Sequence, residues 1–476
     1  WMNSSSPIET KTPSPRQIPR QVDSGYATQT NTAFNSPVSK RRDSTTSQAS
    51  RDEFAHNSTS SVPMPGREDL QIVRRHIDYT SNTRFREIAP SMQQLLHKSL
   101  QKRSLGFPLV KAKPKRAQMT MSMRLMVVGT SAETAKPSIV IFLAGDQTRN
   151  LETALQGQEL KKLYTSDDGV TPSFDVIVVG QEPKKRSQGE VCVTWDASRV
   201  KERHLPTLCG LQISFGIEDE SSVTVSTIGG IVKLIYGPGD FKLVAMTAGH
   251  PLCDLLDTDP DDAINLEVTA FADPRALGTV LHPVVEEDRR DADRVLIPKH
   301  DWALVEIDTG VRIRPNLIPV PGSSGGLGIP NARSQSQFNL PSRSFTPMTA
   351  APPASFPSVK PIEVALLTGS CSSRFSGARL GLLSHMPGAI MLSPENGFVD
   401  AYLLTLDDGQ ELQDGDSGSW VVNPVSLEVY GHVVATDITG DGYVIPLHAS
   451  LDEMKQALGV EEVTLPGTAD LLDVAL

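Results

Sequence analysis

The stretch Asp414–Val422 reads DGDSGSWVV and sets one serine between two glycines, directly ahead of an apolar run. Glycine adopts backbone angles that other residues avoid, so the GDSG segment predicts a tight turn that presents Ser417. The apolar run that begins at Trp420 predicts a strand. A serine hydroxyl on such a turn is a candidate nucleophile, provided that a base lies beside it.

Two further motifs precede this stretch along the chain. Val244–His250 reads VAMTAGH, a hydrophobic strand followed by a small-residue turn and a histidine. His300–Ile307 reads HDWALVEI, in which Asp301 opens an apolar strand. His250 and Asp301 are 51 residues apart, and Ser417 follows 116 residues later. A shared site therefore requires three distant segments to converge.

The three motifs resemble those of the chymotrypsin-like (trypsin-fold) serine proteases, which carry TA-A/G-H, D-x-A-L and GDSG segments in the order His, Asp, Ser. The active-site orders Asp-His-Ser and Ser-Asp-His do not match. The resemblance covers about residues 225–450. It implies a mainly β fold with a trypsin-like double antiparallel β-barrel, and a triad of His250, Asp301 and Ser417 between the barrels. It also implies an oxyanion hole made by the backbone N–H groups of Gly415 and Ser417.

Each residue type has a defined task in that chemistry. A serine hydroxyl is a weak nucleophile at neutral pH, so His250 would take the Ser417 proton and return it to the leaving amine. Asp301 would hold the imidazole in the required tautomer. Two other interpretations stay open. Asp301 could cap the start of the strand, in which case Glu306 or Asp308 could be the acid that orients the histidine. Ser417 could be a turn serine in an inactive relative.

Residues around the serine indicate the substrate preference. Glu411 stands six residues before Ser417, where the resemblance places the floor of the substrate pocket. An acid there favours Lys or Arg in the substrate through charge pairing, unless Glu411 faces solvent instead. Val434 and Thr436 belong to the hairpin predicted to wall this pocket. Thr436 stands where many relatives have glycine, which would narrow the entry.

The chain departs from the secreted family members at two places. Pro251 follows His250, where those members carry a bridged cysteine. The segment Thr227–Gly230 lies deep in the chain, whereas the secreted members free an Ile or Val amino terminus that pairs with the aspartate before the serine. We interpret Thr227–Gly230 as the strand leading into the histidine hairpin. Asp416 therefore needs another partner.

Composition divides the chain into six regions. The first is basic, with 19 Lys+Arg against 9 Asp+Glu, and rich in Ser, Thr and Pro, so it cannot bury enough apolar surface to fold alone. The predicted regions are a largely disordered tail at 1–118 with a short helix at Ser91–Arg103, an α/β accessory unit at 119–204, a first barrel at 205–320, a disordered Pro/Ser-rich insertion at 321–361, a second barrel with a C-terminal helix (His448–Leu458) at 362–460, and a tail at 461–476.

The composition also excludes several protein classes. No run of 18 apolar residues exists, so we expect no membrane span, and the polar first thirty residues predict no signal peptide. Four scattered cysteines without a CxxC pair indicate reduced thiols in an intracellular protein, cytoplasmic or nuclear, and no metal site. We expect the basic arm to be solvated and assign it no nucleic-acid partner. The oligomeric state stays open.

Two classes of function follow from these patterns. The first is a serine endopeptidase that hydrolyses a polypeptide substrate through an acyl-enzyme intermediate, without a cofactor. The second is a protease-fold interaction module without turnover. The absent amino-terminal pairing and the long insertion leave room for the second class.

Overall fold

The computed structural model describes the chain from residue 61 onward, with gaps. The described residues are 61–104, 119–186, 207–216, 223–252, 267–270, 273–282, 298–308, 313, 315–318, 347–357, 360–368, 378–407, 409, 411–467 and 469–470. All of them belong to one unit of chain contacts, Thr59–Leu476. The predictions made for the tail before residue 61 and for residues 321–346 of the insertion lie outside the described residues.

An α/β unit forms the first part of the described chain. Its elements are β1 (Ser61–Met64), β2 (Arg67–Val73), α1 (Tyr79–Ser104), β3 (Met121–Gly129), β4 (Lys136–Phe142), α2 (Thr148–Leu155), α3 (Gln158–Tyr164), β5 (Asp175–Val179) and β6 (Lys184–Lys185). The strand β3 pairs antiparallel with β2 and with β4, and β4 pairs in parallel with β5. A parallel pair needs a crossover connection, which α2 and α3 provide.

Both faces of β3 and β4 are buried, which explains their apolar sequences. Leu125 and Ile139 face the helices and pack in one cluster with Met92 of α1. Met126 and Val140 face the opposite side and pack in a second cluster. A strand covered on both faces reads as a continuous apolar run, and these two strands follow that pattern.

Residues 61–104 differ from the sequence-based expectation, which placed them in the tail. The helix α1 begins at Tyr79, twelve residues before the predicted start, and contains Pro90. Asp78 caps it, because its carboxylate accepts a hydrogen bond from the Ser81 N–H at 2.8 Å. One face of α1 is buried against the sheet and carries Phe85, Ile88, Met92 and Leu96. This packing keeps the chain helical through Pro90.

The first barrel is built from seven strand segments. They are β7 (Leu211–Gly216), β8 (Val223–Ile228), β9 (Gly230–Gly237), β10 (Asp240–Ala248), β11 (Glu267–Ala270), β12 (Asp273–His282) and β13 (Trp302–Ile307). Their order in the sheet is β8–β7–β11–β12–β13–β10–β9, antiparallel throughout. Only Gly229 separates β8 from β9, so one bent strand pairs with β7 and then with β10. The sheet thereby closes as six strands around Phe215 and Val305.

The second barrel closes directly through its strand pairs. Its elements are β14 (Thr349–Ala350), β15 (Ile362–Leu367), β16 (Ala378–Met391), β17 (Val399–Leu406), β18 (Trp420–Val422), β19 (Glu428–Thr436) and β20 (Gly442–Pro446), followed by α4 (Leu447–Leu458) and β21 (Glu462–Thr464). Antiparallel pairs join β15–β16–β17–β20–β19–β18 and return to β15. The predicted fold class, a mainly β double antiparallel barrel with an N-terminal α/β unit, is confirmed.

Two segments assigned to an insertion or a tail belong to the folded body. Within the predicted insertion, β14 pairs in parallel with β19, and Ala351 is fully buried. Within the predicted C-terminal tail, β21 pairs with β9 of the first barrel. Both segments are short, and their apolar residues are too few to be read as strands from the sequence alone.

The α/β unit and the second barrel share one sheet. The start of β3 pairs with the end of β16, and β6 pairs with β19. A buried charge cluster reinforces the junction, because Arg124 of β3 reaches Asp437 at 3.0 Å and Asp441 at 2.8 Å. The Arg124 guanidinium also donates to Thr439 Oγ1 at 2.8 Å. Arg124 thus holds the loop that follows β19.

Replacing Arg124 with Met should destabilise the protein by about 3–5 kcal/mol, because two carboxylates would stay buried without their cation. The measurement is the free energy of unfolding by denaturant. The matched control is K136Q, which removes a pair with Asp175 whose two side chains are 58% and 61% exposed. An exposed pair contributes about 0–1 kcal/mol. Equal losses in the two variants would contradict a structural role for the Arg124 cluster.

Candidate active site

The pairing of two strands brings His250 and Asp301 together. Ala248 at the end of β10 lies opposite Trp302 at the start of β13. The residues just beyond these ends, His250 and Asp301, are therefore neighbours although 51 positions separate them. The Gly249 N–H donates to the Asp301 carbonyl oxygen at 3.1 Å and extends the pairing by one step.

The Asp301 carboxylate holds His250 through two hydrogen bonds. One oxygen accepts from the His250 backbone N–H at 2.7 Å, and the other lies 2.6 Å from the imidazole Nδ1. Both residues are fully buried. Asp301 has a φ of 53°, in the left-handed region that non-glycine residues seldom adopt. The competing acid Glu306 pairs instead with Lys242 at 2.7 Å.

Ser417 completes a line of three side chains. Its Oγ lies 3.2 Å from His250 Nε2 and 3.3 Å from the Val434 carbonyl oxygen. A carboxylate at Nδ1 accepts a hydrogen bond, so the imidazole proton belongs on Nδ1 and the Nε2 lone pair faces the serine hydroxyl. This arrangement allows His250 to accept the proton of Ser417.

The turn that carries Ser417 depends on two glycines. Gly415 and Gly418 have φ values of 90° and 89°, as the GDSG segment predicts. A Cβ on Gly418 would also stand 2.3 Å from the Thr227 carbonyl oxygen. The turn is fixed to the first barrel, since the Ser417 carbonyl oxygen accepts from the Thr227 N–H at 2.8 Å and from Ser226 Oγ at 2.9 Å.

Asp416 has partners other than an amino terminus. Its carboxylate accepts a hydrogen bond from Thr368 Oγ1 and one from the Gln413 N–H at 2.8 Å. The Arg379 guanidinium lies 3.6 Å from the same carboxylate, and both side chains are almost completely buried. The partner that the sequence required for Asp416 is therefore an arginine at the start of β16, together with the threonine that directly follows β15.

Two residues support Asp301 that the sequence did not single out for a role. His432 of β19 lies with Nε2 3.1 Å from the Asp301 carbonyl oxygen. Burial lowers the pKa of His432 to about 4, so the ring is neutral at pH 7 and donates this hydrogen bond. Glu453 of α4 accepts from the Lys299 N–H at 2.7 Å and the His300 N–H at 2.9 Å. It therefore fixes the loop leading into Asp301.

The predicted pocket residues surround a basic side chain of the same chain. Glu411 is 62% exposed, as the solvent alternative anticipated, yet its carboxylate also lies 3.1 Å from Arg186 Nη2. Thr436 Oγ1 accepts from Arg186 Nε at 2.5 Å. The N–H of Gly415, a predicted oxyanion donor, donates to the Arg186 carbonyl oxygen at 2.6 Å. Sequence patterns gave no signal for Arg186, because nothing in them relates it to residues more than 220 positions away.

Few of the described residues could support metal or thiol chemistry. No group of three or more His, Cys, Asp or Glu side chains among the described residues could hold a metal ion. Cys209 is fully enclosed, and burial raises its pKa to about 11, so it is protonated at neutral pH. The predictions for the other three cysteines lie outside the described residues.

No helix in the described ranges combines the length and apolar character needed to cross a membrane.

Comparisons with known proteins give weak similarity, and only to solved structures. No family model matches this chain, and no curated protein matches it. Among solved structures, the chain is similar to a mutant of the tobacco etch virus protease. That similarity covers 51% of this chain and 76% of the viral chain, at 10% identity and a TM-score of 0.25. A likeness of this size assigns no residue role, so only the geometry described above bears on the site.

Replacing Glu453 with Gln should remove a pH-dependent part of the stability. Burial alone would raise the pKa of Glu453, but hydrogen bonds from His300 and Lys299 outweigh it and lower the pKa to about 2. A depressed carboxylate pKa stabilises the fold above the unfolded pKa near 4.5 and loses that effect as the pH falls toward 2. With partial solvent screening, we expect the unfolding free energies of E453Q and the native chain to differ by about 1–2 kcal/mol at pH 6.

The measurement is denaturant unfolding of both chains between pH 6 and pH 3. The difference between them should shrink as the pH falls. The control is E461Q, which changes an exposed glutamate just beyond the same helix. A difference that stays constant over this pH range would contradict the role given to Glu453.

Proposed function

We propose that this chain is a serine endopeptidase with Ser417 as nucleophile, His250 as general base and acid, and Asp301 as the residue that orients His250. The observation that carries the proposal is the continuous line from the Asp301 carboxylate to His250 at 2.6 Å and from His250 to Ser417 at 3.2 Å. Contacts of about 2.6–3.2 Å between nucleophile, base and orienting group are what this chemistry needs.

The reaction proceeds in two halves. Ser417 Oγ attacks the substrate carbonyl carbon while its proton passes to His250 Nε2, which then protonates the departing amine. A water molecule attacks the resulting ester, and His250 again moves the proton. The buried Asp301 carboxylate stabilises the imidazolium formed in each half, because the low dielectric strengthens that attraction.

The backbone N–H groups of Gly415 and Ser417 are the proposed oxyanion donors. The N–H of Gly415 already binds a peptide carbonyl oxygen at 2.6 Å, which supports this assignment. One such donor typically contributes about 2.7–4 kcal/mol to catalysis. The positive φ of Gly415 and the buried contacts of Asp416 preorganise this turn, so little reorganisation is needed when charge develops on the substrate oxygen.

A second candidate function is a protease-fold interaction module without turnover. The observation that favours it is closure of the site, since the side chains of His250, Asp301 and Ser417 have no solvent exposure. A site that never opens would bind no substrate. The two functions differ in whether Ser417 reacts with a small electrophile.

A fluorophosphonate probe should label Ser417, because its phosphorus accepts the activated serine oxygen as a peptide carbonyl does. The probe is applied to the native chain and to R186Q, and the adduct is located by mass spectrometry. S417A and H250A should give no adduct, and D301N should react roughly 10⁴-fold more slowly because the imidazole loses its orienting carboxylate. Absence of the adduct from both the native chain and R186Q, each shown to be folded, would favour the non-catalytic module.

Peptide substrates with Arg before the scissile bond should be cleaved faster than matched Leu peptides, because Glu411 binds a guanidinium in the structure. The enzyme for this test carries R186Q, and adding E411Q to it should reduce this preference about two- to fivefold. The Glu411 side chain is 62% exposed, and a pair with such a solvated carboxylate contributes about 1 kcal/mol or less. The measurement is the ratio of the two kcat/KM values, with E461Q as the matched control. Equal rates on Arg and Leu peptides would contradict the assigned preference.

A further inference from the structure

The segment Lys184–Arg186 lies across the candidate site as an added strand. Lys185 pairs with Ala435 and Lys184 pairs with Thr436, antiparallel to β19. Continuing the same register by one step would set Arg186 opposite Val434. The Val434 carbonyl oxygen lies 3.3 Å from Ser417 Oγ, so the register brings Arg186 beside the nucleophile.

The Arg186 carbonyl group is bound at the serine turn. Its oxygen accepts the Gly415 N–H at 2.6 Å, the contact in which a peptide carbonyl is polarised. Gly415 and Ser417 belong to one tight turn, so a carbonyl bound at the first residue is presented to the hydroxyl of the second. Lys184–Arg186 therefore occupies the cleft as a substrate would, with its carbonyl oxygen on the predicted anion donor.

The Arg186 side chain is bound as the side chain that determines substrate specificity would be. Its guanidinium contacts Thr436 Oγ1 at 2.5 Å, a Glu411 carboxylate oxygen at 3.1 Å and an Asp414 carboxylate oxygen at 3.6 Å. The side chain is only 13% exposed. A cation held by two acids and a hydroxyl matches the preference for a basic residue that Glu411 predicts.

We propose that the chain cleaves its own peptide bond after Arg186. This inference rests on the proposed peptidase function and names an intramolecular substrate for that site. Ser417 Oγ forms a bond to the Arg186 carbonyl carbon as its proton moves to His250, and the negative oxygen stays on the Gly415 N–H. The carbon–nitrogen bond to residue 187 then breaks, and His250 protonates the new amine.

Water completes the reaction. Its oxygen attacks the ester carbon while His250 takes one of its protons, and the return of that proton to Ser417 Oγ releases the carboxylate of Arg186. The products are residues 1–186 and 187–476. They should stay associated under native conditions, because β3 of the first product pairs with β16 of the second. Cleavage would convert a closed site into one that can open to other substrates.

The experiment incubates the purified full chain and follows the intact masses under denaturing conditions. The expected products correspond to residues 1–186 and 187–476, and the half-time should not change on tenfold dilution because the reaction is intramolecular. R186K should still be cleaved, R186Q at least about tenfold more slowly, and S417A and H250A not at all. R149Q, a change at an exposed arginine outside the cleft, should behave as the native chain does.

Three results would overturn the proposal. One is a native chain that reacts with the fluorophosphonate probe yet stays intact, which leaves the peptidase function standing and makes Lys184–Arg186 an inhibitory segment. Another is cleavage of S417A by the native chain, which places the reaction between molecules. The third is cleavage at another bond, unaffected by R186Q. Failure of both the native chain and R186Q to react with the probe would instead remove the proposed function.

Discussion

The site depends on the hydrogen bonds that fix the serine turn to the first barrel. Thr227 donates its N–H to the Ser417 carbonyl oxygen and its hydroxyl to the Gly415 carbonyl oxygen at 2.6 Å. Ser226 Oγ donates the third bond, which is the second to the Ser417 carbonyl oxygen, and all these groups are buried. Each net contribution is about 0.5–1.5 kcal/mol, but an unmatched buried carbonyl would cost more. The two barrels therefore have one arrangement in which the backbone of this turn is satisfied, and that arrangement sets Ser417 against His250.

The α/β unit takes part in the site because it shares a sheet with the second barrel. Its strand β3 pairs antiparallel with β16, and Arg124 connects it to the loop after β19. The chain that leaves this unit is delivered to the edge of β19, where β6 pairs. An accessory unit attached by a free linker would lose more conformational entropy on placing the same three residues in the cleft. Rigid attachment therefore favours occupation of the cleft by Lys184–Arg186.

Sequence patterns predicted the parts of the molecule that local chemistry determines. The glycines of the GDSG turn have the positive φ that their spacing indicates, and the three motif residues meet although the chain separates them by 51 and 116 positions. Their catalytic roles stay a prediction. The start of α1 was wrong because Pro90 signals a helix end locally, whereas packing of one buried face holds the helix through it.

Long-range polar contacts were the parts that no local pattern could give. Glu453, His432 and Arg186 contact residues far along the chain, and the identity of such partners is set only by the completed fold. A glutamate on a helix or an arginine after two lysines is ordinarily a solvated surface group. Burial and partner atoms, rather than residue type, distinguish these side chains from their many equivalents in the sequence.

Arg379 links the proposed recognition residue Glu411 to the proposed oxyanion turn through one buried guanidinium. Its Nη1 lies 3.6 Å from the Asp416 carboxylate and 3.2 Å from the Glu411 carbonyl oxygen. Gln413 bridges the same two residues, since its N–H donates to Asp416 and its side-chain amide donates to the Glu411 carbonyl oxygen at 3.0 Å. Glu411, which binds a basic side chain, and the turn proposed to polarise the carbonyl are thus parts of one hydrogen-bonded block. A shift of Glu411 on binding would be passed to Gly415, so recognition of the cation and alignment of the carbonyl should occur together.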